Sequence, residues 1–294
     1  MNHVFFSKDL NKVADLFDAA GIGKIISPQD AVALKIHFGE KGNNAYLKSE
    51  RVKPIVKLIQ ALGGDSFWTD ANTLYKGSRM DNAAHLQTAA DHGYTLENSG
   101  APVKISDGYF ADTLSLDAKA LIAISHFKGH ELTGFGGAIK NISMGLASRA
   151  GKLDMHSDCE HCKAAPKCTK KQTLSSCWVA SSNVVQQKMV EYAAAIIQPF
   201  KNKIAFITFI CDVSEQCDCY PFNSEPIVPD IGILASFDPV ALDQACVDLV
   251  NGTEGRIKGS DKFKTLYPTV DWEVQLRYAE EMGLGQRDYS LIKF

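Results

Sequence analysis

Apolar segments of strand length alternate with amphipathic segments of helix length along most of the chain. Leu10, Val13, Ala14, Leu16 and Phe17 recur at helical spacing within residues 9–20, and the stripe stops at Gly21. Residues 30–36 read as a buried strand, 51–62 as a helix ended by Gly63-Gly64, and 66–69 as a second strand. A helix over 80–92 closes at Gly93, and 118–124 is again a buried strand. Later come helices over 137–148, 181–197 and 238–250, the last with Pro239 in its first turn, and strands over 203–209 and 230–235. Near-continuous apolar strands between helices predict an α/β fold, a mostly parallel sheet with helices on both faces. We expect a single domain over 1–294, with two lobes near 1–115 and 116–294 as the other division.

Residues 151–182 break the rhythm. They hold four of the eight cysteines and few core-type residues, and read as a Cys-rich insert rather than part of the sheet. Composition adds exclusions. With 45% hydrophobic and 22% charged residues, the chain is neither disordered, collagen-like nor a coiled coil. A net charge of −3 without long runs of one sign argues against nucleic acid and against a polybasic membrane patch. The first residues lack the features of a secretory signal, and no apolar run approaches the roughly 18 to 20 residues of a membrane span. These features lead us to expect a cytoplasmic protein.

Cys159, Cys162, Cys168 and Cys177 form a C-x2-C-x5-C-x8-C pattern. Four thiolates so spaced complete a tetrahedral zinc site or hold an iron–sulfur cluster, and the spacing does not separate the two. Cys217 and Cys219 follow the 203–209 strand, where they are candidates for further metal ligands or a redox pair. The densest chemistry follows the 118–124 strand. There His126 and His130 precede Gly134, Gly136 and Gly137, with Lys140 and Asn141 about one turn into the next helix. Glycines let backbone approach a ligand, amides at a helix start favour an anion, and histidine moves protons near neutral pH. This strand-to-helix turn is the expected site of a small anionic ligand. Lys35 and His37 after the 30–36 strand form a further polar patch, as do residues 70–75.

On Leu34 to Glu40, His126 to His130, Gly136 to Asn141, Met155 to Ser157, Cys217 to Cys219 and Pro226 to Asp243, the chain resembles a broad family of uncharacterised bacterial and archaeal proteins. Its members are usually described as iron–sulfur or ferredoxin-domain proteins, many with a two-cluster module where this chain has the shorter 158–182 stretch. That resemblance implies a residual 4Fe-4S-type cluster, or zinc in its place, and a redox partner protein. A more distant similarity joins His130, Thr133 to Gly137, Lys140 and His156 to the nickel-pincer lactate racemases. It implies His130 as an acid/base, Lys140 as the tether of an anionic nucleotide-type cofactor, His156 as a metal ligand, and the loop containing Lys35 and His37 beside the cofactor. The second acid/base histidine of those racemases has no counterpart in residues 70–79.

Overall fold

The structure is a computed structural model that describes residues 2–106, 117–168, 177–200 and 202–294. Its strands are β1 (Asn2–Ser7), β2 (Ala31–Lys35), β3 (Asp65–Ala71), β4 (Val103–Ser106), β5 (Ala120–His126), β6 (Lys128–His130), β7 (Gly134–Gly136), β8 (Ile204–Ile210), β9 (Gly232–Ser236) and β10 (Tyr289–Lys293). Its helices are α1 (Val13–Ala19), α2 (Ser49–Ala61), α3 (Asn82–Asp91), α4 (Leu96–Ser99), α5 (Ala138–Leu146), α6 (Arg149–His156), α7 (Ser182–Ile197), α8 (Pro239–Gly252), α9 (Lys262–Leu266) and α10 (Val274–Glu281).

Eight strands form one sheet in the order β10-β1-β9-β8-β5-β2-β3-β4, so strands from both halves of the chain share it. The α/β expectation holds, with most neighbouring pairs parallel. β9 is the exception, running antiparallel to both β8 and β1. Between β8 and β9 the chain forms no crossover helix, so it returns along the same edge and reverses direction. The period-2 side-chain alternation divides the core. Ala33, Leu121, Ala123 and Phe206 face one layer with α5, α7 and α8, while Val32, Leu34, Ile122, Ile124 and Ile207 face the other with α1 and α2. The central strands are buried on both faces, which is why they read as unbroken apolar runs.

Three features depart from the sequence pattern. β1 and β10 form one end of the sheet, where a half-exposed, less apolar pattern gives a weaker strand signal. The run after β5 folds back as the small β6–β7 hairpin. The Cys-rich stretch also opens inside the fold: α6, capped by the Ser148 hydroxyl on the Gly151 amide, places Met155 in the core. Residues 169–176 of that stretch lie outside the described residues.

Helix α5 starts against a carboxylate of its own chain. Asp243 of α8 accepts hydrogen bonds from the Ala138 and Ile139 amides at 2.7 and 3.0 Å. A side chain at Gly137 would collide with that carboxylate, so the glycine is a packing requirement. Burial pushes the Asp243 pKa up to about 7. The folded state therefore binds this proton more tightly than the unfolded chain does. The resulting stabilisation is complete below an ordinary carboxylate pKa near 4 and is lost as pH rises through about 7. Asp243→Asn removes the titrating group, and its urea midpoint should decline less than the wild type's across that window. Parallel profiles for the two proteins would contradict this assignment.

Candidate functional site

In parallel sheets ligands settle at the carboxyl edge, where neighbouring strands send their connections in opposite directions. Here that point lies between β2, whose chain proceeds outward to β3 and β4, and β5, which leads to β8 on the other side. A cavity of about 520 Å³ opens there. It is lined from four successive strand ends: His37 after β2, Asp70 on β3, His126 on β5 and Cys217 after β8.

Two buried carboxylates organise its polar side. Asp70 lies 3.0 Å from Lys35 Nζ and 3.5 Å from the Arg79 guanidinium. Burial opposes its charge, but Lys35 and then His85 hold its carboxyl well below the usual range. Lys35 also donates to Asn141 Oδ1 at 2.8 Å, and Asn141 Nδ2 donates to the Ile124 carbonyl at 3.0 Å. This chain of bonds ties β2, β5 and α5 together, and Gly145 leaves room for the Lys35 amine against α5. Lys35 and Asn141 therefore act first as braces. Asn141 lines the cavity, whereas Lys35 lies beneath it. Arg79 continues outward to Glu40 at 3.3 Å and to the Tyr75 hydroxyl at 2.7 Å.

Asp218 is the second anchor. It accepts from His126 Nδ1 and Lys128 Nζ, each at 2.8 Å, while His126 Nε2 donates to the Cys211 carbonyl at 2.6 Å. Burial works against both ions of the Asp218–Lys128 pair. Their mutual attraction, with His126 beside Asp218, still lowers the carboxyl pKa and raises the ammonium pKa. His126 is therefore committed to the scaffold.

The glycine turn serves the site differently from the expected anion cradle. The α5 start amides at Ala138 and Ile139 are occupied by Asp243, and Gly134, at φ +76°, packs against Trp272. Of the three glycines, Gly136 and Gly137 line the cavity. The turn does bring His130 and Lys140 to one cavity with His156 and Lys152, two residues one helical turn apart on α6. Lys152 Nζ donates to the Ala147 carbonyl at 2.7 Å, and burial lowers its pKa to about 7. Neither Lys140 nor Lys152 has a carboxylate within ion-pair distance among the described residues.

The two histidines present opposite faces. His156 Nδ1 meets the Lys152 carbonyl at 2.7 Å and so carries the ring proton, leaving a lone pair at Nε2. Its ring stacks on Trp178 with centroids 3.6 Å apart, and burial lowers its pKa to about 4. His130 Nδ1 instead accepts from the Leu132 amide at 3.2 Å. Burial and Lys140 keep that ring neutral, so its proton sits on Nε2. His37 Nδ1 likewise accepts, from the Gly39 amide at 3.1 Å.

The cysteines fall into separate groups. Cys217 and Cys219 line the cavity, and a hydrogen bond from Cys219, followed by Lys140 and Lys128, lowers the Cys217 thiol well below its ordinary range against the effect of burial. Cys159 and Cys168 are exposed, and Cys162 and Cys177 are half-buried. Among the described residues there is no disulfide, and no three His, Cys, Asp or Glu side chains converge on one metal position. Sequence reasoning passed over Arg79, Lys152, Asp218 and Trp178. Lys152 carried a usable signal, lying four residues before His156, whereas Arg79 and Trp178 are brought to the cavity only by tertiary packing.

A search of curated proteins finds no match to this sequence. Among solved structures, lactate racemase apoprotein from Thermoanaerobacterium thermosaccharolyticum is similar at a TM-score of 0.42 and 14% identity, over 72% of this chain and 51% of that one. A Thermotoga maritima protein is similar at a TM-score of 0.41 and 12% identity, over 77% of this chain and 56% of that one. The present chain thus spans about half the length of each. The model of the family described as domain of unknown function DUF362 matches residues 32–248, a span that runs from β2 into α8 and contains the whole polar side of the cavity. The chain belongs to the DUF362 family.

Proposed function

We propose that the cavity binds a small organic anion, that His156 accepts a proton from it and that His130 holds it by a hydrogen bond. The observation that carries this reading is the charge of the lining, where Lys76, Arg79, Lys128, Lys140 and Lys152 face only Glu40, Asp70 and Glu131. Arg79 and Lys128 are neutralised by Asp70, Glu40 and Asp218, and Lys76 is exposed to solvent, which leaves Lys140 and Lys152 for the ligand. Leu132, Met144, Val185 and Met189 line another part of the cavity and suit the carbon skeleton of such an anion.

In this mechanism Lys140 and Lys152 hold the anionic group. His156 Nε2 accepts a proton from the bound molecule, and its pKa near 4 keeps that lone pair open at neutral pH. His130 donates a hydrogen bond from Nε2 to an oxygen of the bound molecule and holds it there. Trp178 holds the His156 ring in place and excludes water from one face.

Lys140 and His156 also fit a lysine-tethered, metal-bearing cofactor, because one supplies an amine and the other an oriented imidazole lone pair in the same cavity. Such a group would supply a metal centre beside the substrate when bound. For Cys159, Cys162, Cys168 and Cys177, the proposal of an iron–sulfur cluster or zinc rests on their spacing.

Titration calorimetry with lactate, malonate and phosphate should detect binding of at least one of these anions. Lys140→Met and Lys152→Met should each weaken it about tenfold to a hundredfold, the effect of losing one charged hydrogen bond. Lys152 loses its charge near pH 7, so affinity should fall between about pH 6 and pH 8, and Lys152→Arg should flatten that fall. Absence of binding to all three probes, or full affinity in both Met variants, would contradict the proposal.

Elemental analysis of protein purified without oxygen tests the cysteine segment. Iron with acid-labile sulfide, or about one zinc per chain, should be present and should be lost in a Cys159→Ser/Cys162→Ser variant. Full retention of metal in that variant would overturn the assignment.

A further inference from the structure

The proton-transfer reading leaves the cavity's two thiols without a task. Cys217 and Cys219 are one residue apart on the loop between β8 and β9, and both line the cavity. Lys140 Nζ stands 3.7 Å from Cys217 Sγ. The surrounding backbone is held on several sides. The Asp218 carbonyl accepts from the Glu40 amide at 2.8 Å, the Cys219 carbonyl from the Tyr75 hydroxyl at 3.3 Å, and the Cys217 carbonyl from the Tyr220 amide at 3.0 Å. Cys211 and Cys246 differ, being buried outside the cavity with thiols pushed up by burial. The pair thus places two sulfurs of one short loop in the cavity, the first of them beside a cation that can protonate a leaving group.

We propose that Cys217 and Cys219 form a dithiol–disulfide couple that reduces a hydroperoxide entering the cavity. The Cys217 sulfur attacks the terminal peroxide oxygen and the O–O bond breaks. The Lys140 ammonium protonates the departing alkoxide, leaving Cys217 as a sulfenic acid. Cys219 sulfur then attacks Cys217 sulfur, so an S–S bond forms, the S–O bond breaks and water leaves with the Cys219 proton. The two electrons taken up by the peroxide come from the two thiols, and thiol–disulfide exchange with a small-molecule or protein dithiol restores the couple.

The test exposes the reduced, full-length wild-type protein to one equivalent of hydrogen peroxide, followed by N-ethylmaleimide and peptide mass mapping. The peptide containing Cys217 and Cys219 should lose two hydrogens and escape alkylation, while Cys211 and Cys246 remain alkylated. In Cys219→Ser the reaction should stop at a sulfenic acid on Cys217, trapped by dimedone. Lys140→Met should slow peroxide consumption about tenfold, as expected when the thiolate loses a neighbouring positive charge worth about one pKa unit. Full alkylation of Cys217 and Cys219 in the wild type, with oxidation confined to Cys159 and Cys168, would overturn the proposal whatever the variants do. So would sulfenic acid on Cys219 rather than Cys217. Neither result bears on anion binding, which calorimetry measures separately.

Discussion

Several cations share one sheet edge in this fold, and their burial is possible only because Asp70 and Asp218 are buried with them. An isolated buried ammonium or guanidinium loses far more solvation than packing returns, so it needs a fixed carboxylate or, like Lys152, releases its proton near pH 7. Asp70 meets Lys35 and Arg79, and Asp218 meets His126 and Lys128. Each carboxylate joins groups from different elements. Breaking either would leave uncompensated charge in the interior and loosen the strand ends that shape the cavity. The cations left over, Lys140 and Lys152, give the cavity its attraction for an anion.

The same economy explains the glycine turn. A helix start pointing into a cavity is an anion site only while its amides are free. Asp243 occupies those of α5, so the helix contributes its Lys140 side chain in place of its backbone. The turn's glycines answer largely to packing: Gly137 makes way for Asp243 and Gly134 for Trp272.

Much of this architecture was legible in the sequence where one physical rule acts alone. The central strands β2, β5 and β8 are covered on both faces, so 30–36, 118–124 and 203–209 stand out as unbroken apolar runs. β1 and β10 border solvent and lose that signature, and the reversal of β9 depends on a connection that composition does not describe. Of the site, His130, Lys140, His156 and the Cys217–Cys219 pair were visible as chemistry placed after strands, and they line one cavity. Arg79, Asp218 and Trp178 were not, because each acquires its role from a partner distant in sequence: Glu40, His126 and His156 respectively. Residues 37–41, 75–79 and 217–220 come together only when β2, β3 and β8 align.

The central claim is that the cavity holds two neutral histidines of opposite tautomer, one open to accept a proton and one donating a hydrogen bond, beside two cations that await an anion. Long-range proton–nitrogen NMR on ¹⁵N-histidine-labelled protein at neutral pH tests it most directly. The account predicts His156 protonated at Nδ1 and His130 at Nε2, with both signals moving when malonate is added. The same tautomer at both residues, or signals unmoved by a saturating anion, would contradict it.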